Sequence, residues 1–292
     1  MSVDLQNAEQ TIALFQQATT ALRDDPRREG SLIRLPAEGQ LLISGDLHDQ
    51  VVHLEKIRGM ADLASGPNRH VLLQELIHGP RLTHGCDLSY RMLGKVAQEI
   101  IAYPGQVHVV MGNHELSQMT RSGVSKGGGN SVVLFNDGLG LVFGEEWTAV
   151  AEAIDDFVAA LPLAVITANG LLCSHSLPAA NVMEKFDPKV LDRELVDADF
   201  HGPWGSAYLM VWGRRFSEEH LQRLCDLWEV THFCVGHAWV EMGVEPAWSN
   251  LVAINSDHER GAVIPWDLSR KPSVEDLVSS ARYLQAIGSP MA

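Results

Sequence analysis

The sequence is poor in cations and cysteines and has no long apolar run. Its 22 Lys and Arg face 37 Asp and Glu, a net charge of −15. Nucleic-acid backbones are gripped by Lys and Arg that displace counterions, so this balance argues against such a partner. It leaves room for a small anionic substrate held through bound cations. The 4 cysteines, Cys86, Cys173, Cys225 and Cys234, form no C-x-x-C pair. Neither a disulfide framework nor a cysteine-type zinc site is signalled, and reduced, mostly buried thiols are expected. The longest apolar runs, such as Leu161–Ala168, fall well short of the roughly 20 residues of a membrane span. The opening MSVDLQNAEQ has neither a basic nor an apolar signal-peptide region. A cytoplasmic protein without membrane contact is expected.

What is present is ordinary globular material: 292 residues, 46% hydrophobic and 20% charged, enough for a sizeable core. No repeat or charge block divides the chain, so residues 1–292 are read as a single domain. Apolar spacing from Val3 to Leu22 predicts an N-terminal helix within residues 1–24, stopped at Asp24-Asp25-Pro26. Apolar runs at 41–43, 71–73, 107–111, 163–167, 171–173, 233–235, 251–254 and 262–264 read as strands. Helical stretches are expected over 51–64, 88–103, 146–160, 218–229 and 273–287. Early strand–helix alternation followed by closely spaced strands predicts an α/β fold with mixed strands, a two-sheet sandwich with outer helices. Residues 122–131, with Gly127-Gly128-Gly129, read as a mobile loop without the strand-to-helix context of a phosphate loop. Residues 177–212 lack periodicity and read as an irregular cap over the strand ends, where Trp204, Tyr208 and Trp212 are expected to pack rather than to line a groove.

The 13 histidines carry the functional signal. Ile43 leads into Ser44-Gly45-Asp46-Leu47-His48-Asp49, Leu73 into Gln74-Glu75, and Met111 into Gly112-Asn113-His114-Glu115. Cys173 leads into Ser174-His175, and Val235 into Gly236-His237. Ligand sites of open α/β sheets lie beyond the carboxyl ends of strands. Each motif alone is an ordinary turn or a structural histidine; their recurrence at successive strand ends is what a shared site explains. Asp46 and His48 offer an oxygen and a nitrogen two residues apart, Glu75 can bridge two cations, and Asn113, His175 and His237 complete a mixed set. Such ligands suit Mn²⁺, Fe or Zn²⁺ better than Ca²⁺ or Mg²⁺. Two cations about 3.5–4 Å apart can clamp a phosphoryl group and activate a bridging water.

With G-D-L-H at 45–48 and G-N-H-E at 112–115, the sequence resembles the calcineurin-like metallophosphoesterases, and within them the PPP-type serine/threonine phosphatases and their bacterial relatives. The resemblance spans about residues 41–265 and implies an αββα core holding two divalent ions, Mn²⁺ first among the candidates. It implies that Asp46 and His48 hold one metal, that Asn113, His175 and His237 hold the other, and that Glu75 bridges them. A metal-bridging hydroxide would attack phosphorus while His114 protonates the leaving group. Trp212-Gly213-Arg214-Arg215-Phe216 resembles a bacterial segment in which an arginine grips phosphate, so Arg214 and Arg215 are substrate-binding candidates.

The chain departs from that pattern where the family reads G-D-x-x-D-R-G and this sequence has Gln74-Glu75-Leu76-Ile77-His78-Gly79-Pro80. Glu75 keeps the charge with a longer arm, His78 replaces the aspartate that orients the catalytic imidazole, and Gly79 removes an arginine. Asp87 is the candidate to orient His114 instead, while His78 and His84 read as loop residues. In place of the G-H-x-H of many phosphodiesterases stands Gly236-His237-Ala238-Trp239, which points to a phosphomonoester, on a protein or a small molecule. Two alternatives stand beside it. One is a diadenosine-tetraphosphatase-like pyrophosphohydrolase; the other is a degraded phosphatase that binds metal or partners without turnover.

Overall fold

The computed structural model describes residues 3–123 and 130–288. The triple-glycine stretch Gly127–Gly129 lies outside them. One sheet has the strand order Arg282–Tyr283, Ala262–Asp267, Gln40–Asp46, Arg69–Gln74, Val107–Val110. Its last three strands run parallel, and Ala262–Asp267 is antiparallel to Gln40–Asp46. The other sheet runs Arg28–Glu29, Leu32–Leu35, Ala164–Thr167, Leu171–Ser174, His232–Val235, Leu251–Ile254, Val244–Trp248. At its centre Leu171–Ser174, His232–Val235 and Leu251–Ile254 are parallel neighbours.

Side-chain alternation along each strand builds the layers. Leu41, Ile43 and Leu72 of the first sheet meet Val165, Cys173 and Ile254 of the second in one buried cluster between the sheets. Leu42, Val71 and Leu73 face outward, under helices. Strands buried on both faces read as unbroken apolar runs, which is why these segments are legible in the sequence. The N-terminal helix, Ala8–Arg23, is capped by Asn7, whose Oδ1 accepts from the Gln10 amide at 2.9 Å. It packs on the helices Tyr90–Ala102 and Trp147–Ala159, with the Phe15 and Phe157 rings 5.4 Å apart. The sandwich of two mixed sheets with helices outside is the predicted architecture.

The sheets meet at one rim. Asp46 pairs with Asn255, the Ser256 amide donates to the Asp46 carbonyl at 3.1 Å, and the Gly45 amide to Ser256 Oγ at 2.9 Å. A side chain at Gly45 would come within 2.3 Å of the Ile254 carbonyl, so this junction requires glycine.

Several local expectations are corrected. The helix Ser131–Phe143 is not expected from the sequence, because Gly138 and Gly140 interrupt its apolar period. Gly138 lets the helix close on the chain at Asp87, whose carbonyl lies 2.0 Å from where a β-carbon would stand. The expected helix over 273–287 covers only Val274–Ser280; Arg282–Tyr283 then pairs with the strand at Ala262. Leu82–Thr83 and Cys86–Asp87 form a hairpin through His84 and Gly85, both at positive φ, as a two-residue turn demands. Val244–Trp248 carries Pro246, which hides the strand in the sequence, and proline is tolerated there because the strand is an edge. Within 177–212 the chain forms short helices, the longest Ser206–Trp212, and Arg193 ties Asp187 and Asp199 together at 2.9 and 2.7 Å.

Candidate metal centre

The parallel strands Gln40–Asp46, Arg69–Gln74 and Val107–Val110 all end at the rim, and the turn after each is held by its neighbour. The Leu47 and His48 amides donate to the Glu75 carbonyl at 3.0 and 2.8 Å, and the Asp49 amide donates to the Leu76 carbonyl. His48, Asp49, Glu75, His78 and His237 all have φ between 40° and 62°, a left-handed backbone that turns their side chains back over the strand ends. Gly112 caps the helix Asn113–Thr120, and a side chain there would come within 2.8 Å of Glu75 Oε1.

Glu75 lies at the centre of this rim. Its Oε1 accepts from the His114 amide at 2.8 Å, and its Oε2 lies 3.2 Å from His175 Nε2 and 3.8 Å from His48 Nε2. His48, Glu75 and His114 form one buried group of candidate metal ligands, and Glu75, His175 and His237 form a second, each with ligand atoms within 4.8 Å of one another. Asn113 Oδ1 is 2.9 Å from His175 Nε2, and His237 Nδ1 is 3.1 Å from the same nitrogen. The Asp46 carboxylate accepts from the His237 amide at 3.1 Å and lies 3.5 Å from His175 Nδ1. The structure thus brings together Asp46, His48, Glu75, Asn113, His114, His175 and His237.

Hydrogen bonding fixes which imidazole nitrogens face the centre. His175 Nδ1 donates to Gln74 Oε1 at 3.0 Å, and the Gln74 amide nitrogen in turn donates to the Ser44 carbonyl at 2.9 Å. Neutral His175 therefore presents a bare Nε2 to Glu75 Oε2 and Asn113 Oδ1. Burial, reinforced by His237, holds His175 well below the ordinary imidazole range, so it is neutral. His48 Nδ1 donates to the Ile77 carbonyl at 2.9 Å, which turns Nε2 toward the same glutamate. His237, pushed down to about 3 by burial and secondarily by Arg214, keeps a buried Nε2 with no hydrogen-bond partner among the described residues. Lone pairs crowding a carboxylate repel one another; a cation between them converts the repulsion into ligation. The donor set fits borderline divalent metals.

Around this centre the structure corrects several roles. His78 is no loop residue: it is buried, with Nδ1 3.0 Å from His114 Nδ1 and Nε2 3.2 Å from Gln118 Oε1. Asp87 does not orient His114; its Oδ1 accepts from the Ser89 amide at 2.8 Å, and burial lifts its carboxyl to about 6. His84 is exposed on its hairpin. Arg214 is exposed and donates to the His237 carbonyl at 3.1 Å, which fixes it beside the centre; Arg215 is exposed next to it. Gly213 seats this segment, because a β-carbon there would be 1.8 Å from the Leu177 carbonyl. Trp212 packs edge-on to His237 at 5.9 Å and Tyr208 packs on Trp212, as expected of the cap, whereas Trp204, expected to pack there too, is instead 56% exposed. Sequence reasoning passes over Gln74 and the Arg81–Asp49 ion pair at 2.8 Å. Gln74 is visible there only as the residue before Glu75, and Arg81 carries no motif.

Buried carboxylates and imidazoles converging at strand ends of a two-sheet sandwich define a metal-dependent hydrolase. The sequence matches the calcineurin-like phosphoesterase family over residues 39–240, and the chain belongs to that family, whose members use divalent metals. No curated protein matches the sequence. The fold is similar to that of a protein serine/threonine phosphatase from Saccharomyces cerevisiae, with a TM-score of 0.64 and 18% identity over 89% of this chain and 82% of that one. It is also similar to the cold-active protein-tyrosine phosphatase of a psychrophilic Shewanella species, with a TM-score of 0.57 and 15% identity over 86% of this chain and 82% of that one. Among the described residues no helix is long and apolar enough to cross a membrane.

Proposed function

We propose that this phosphoesterase is a dinuclear phosphomonoesterase, acting on a phosphoprotein or a small phosphate ester. The observation that carries the reading is Glu75, whose carboxylate belongs to both ligand groups at once. Asp46 and His48 would hold one ion with Glu75, and Asn113, His175 and His237 the other, with Mn²⁺ preferred over Fe or Zn²⁺. When bound, the ions supply positive charge for the phosphoryl oxygens and lower the pKa of water. His114 donates a proton to the leaving oxygen as that oxygen takes the electron pair of the breaking P–O bond. Arg214, held on the His237 carbonyl, and Arg215 beside it add charge that a dianion uses best. Trp239, 69% exposed where a further histidine would close the coordination sphere, offers no ligand atom and keeps that side open to a monoester. The names of the two structural relatives, both protein phosphatases, agree with this substrate class.

The test is elemental analysis and turnover of protein purified in Mn²⁺. Two ions per chain are expected, with para-nitrophenyl phosphate hydrolysed faster than its bis ester at matched concentration and pH. The opposite ranking moves the protein to diesters, and absence of bound metal overturns the reading.

A further inference from the structure

His114 is held by a histidine rather than a carboxylate, and an imidazole, unlike a carboxylate, can be either donor or acceptor. Which it is depends on what its other nitrogen does. His78 Nε2 meets Gln118 Oε1 at 3.2 Å, and an amide oxygen only accepts, so Nε2 carries the proton. The amide is itself oriented: Gln118 Nε2 donates to Asn136 Oδ1 at 2.9 Å. With its proton on Nε2, neutral His78 has an accepting Nδ1, which faces His114 Nδ1 at 3.0 Å. His114 must then be the donor there. Its Nδ1–H is committed to His78, and the transferable proton sits on Nε2.

The surroundings preserve this polarity. His78 and Gln118 are 2% and 1% exposed, so water does not compete for the bond between them. The Phe135 ring stands edge-on to His78 at 5.7 Å, and the His78 amide is fixed on Ser89 Oγ at 3.1 Å. Phe135 and Asn136 both come from the helix Ser131–Phe143, and Gln118 from the helix that begins at Asn113.

We propose that Gln118 and Asn136 are positioning residues that lock His78 as an acceptor, so that a neutral imidazole does for His114 what a carboxylate would. The inference rests on His114 being the proton donor of the proposed reaction. As His114 gives its Nε2 proton to the leaving oxygen it becomes the neutral Nδ1–H form, and the bond to His78 persists unchanged. No proton moves along His78, Gln118 and Asn136.

Gln118→Leu keeps bulk and removes the acceptor, so His78 can take either tautomer. With para-nitrophenyl phosphate and Mn²⁺, kcat is expected to fall about 10–100-fold, the scale on which partners that orient metal-binding imidazoles act, with KM unchanged. His78→Asp in the Gln118→Leu background should restore kcat, because a carboxylate accepts without help; lost packing alone would not be rescued this way. Wild-type kcat in Gln118→Leu, or no rescue in the double variant, overturns the proposal. If the wild-type protein hydrolyses no phosphoester, the function reading fails. The inference is then judged by ¹⁵N NMR of the Zn²⁺-loaded protein. His78 protonated at Nε2 with His114 protonated at Nδ1 supports it, and the reverse pattern sinks it.

Discussion

The strand Arg69–Gln74 has a buried histidine pair at each end, and the two pairs do different things. At its amino end His70 and His108 stack with ring centroids 5.3 Å apart and nitrogens 3.2 Å apart. At its carboxyl end, where Gln74 meets His175, the His175 and His237 rings stand 4.8 Å apart with nitrogens 3.1 Å apart. Burial lowers all four: His70 to about 4, His108 to about 3, His237 to about 3, and His175 well below its ordinary value. Geometry and titration therefore do not separate them. The carboxylates do. Among the described residues the acid that approaches His108 is Asp25, 3.9 Å away and itself 3.9 Å from the Arg27 guanidinium. Glu75 instead lies 3.2 Å from the bare Nε2 of His175, and Asp46 lies 3.5 Å from Nδ1 of the same ring. What sets the candidate metal centre apart from the other buried histidine pair is a carboxylate, Glu75, held against imidazoles, where Asp25 has an arginine beside it.

The sharpest way to break the comparison is to remove one histidine from each end. His237→Ala should release metal and lower kcat by about 10³-fold or more, the scale of several kcal/mol of lost charge stabilisation. His108→Gln should leave metal content and kcat as they are. Equal losses in the two, read by elemental analysis and turnover, would erase the distinction. His114→Asn should cost about 10²–10⁴ in kcat while both ions stay bound, and loss of metal in that variant would make it a ligand instead of an acid. Glu75→Gln should weaken at least one ion, about 10–100-fold in affinity by titration, and Glu75→Asp need not restore it because the backbone is set for the longer arm. Full activity in Glu75→Ala would show that another group bridges.

The smallest effect is on stability. His70 and His108 titrate lower in the folded chain than in the unfolded one, so below about pH 6.5 the unfolded state binds more protons and stability falls as pH falls. Buried Glu115, raised to about 7, and Asp87, raised to about 6, act in the opposite direction. The difference between proteins is therefore the diagnostic. Denaturant unfolding between pH 6.5 and 4.5 should show a slope shallower by about 1 kcal/mol per pH unit in His108→Gln than in wild type. Parallel curves would mean that His108 titrates alike in the folded and unfolded chain.

The candidate ligand set is legible because each member lies at or just after the end of its own strand, and strand ends are local features: Gly45-Asp46, Gly112-Asn113 and Gly236-His237 each announce a turn after an apolar run. The supporting groups are not, because they depend on contacts between distant segments. His78 reads as a loop residue until the helix Ser131–Phe143 covers it, and that helix is hidden by Gly138 and Gly140. Asp87 stands close in sequence to His78 but spends its carboxylate on Ser89. His70 and His108 sit inside strands, where the sequence offers no mark of pairing.

The left-handed residues at the rim have a consequence for how such a chain changes under selection. His48, Asp49, Glu75, His78 and His237 each hold a β-carbon where L-residues are disfavoured by roughly 1–2 kcal/mol, a penalty that glycine escapes. Glycine at His48, Glu75 or His237 should raise the melting temperature of the metal-free protein while removing a side chain of the proposed centre. Thermal tolerance and chemistry therefore pull on the same few codons in opposite directions. A library screened for heat resistance alone would drift toward a sturdier sandwich with an empty rim.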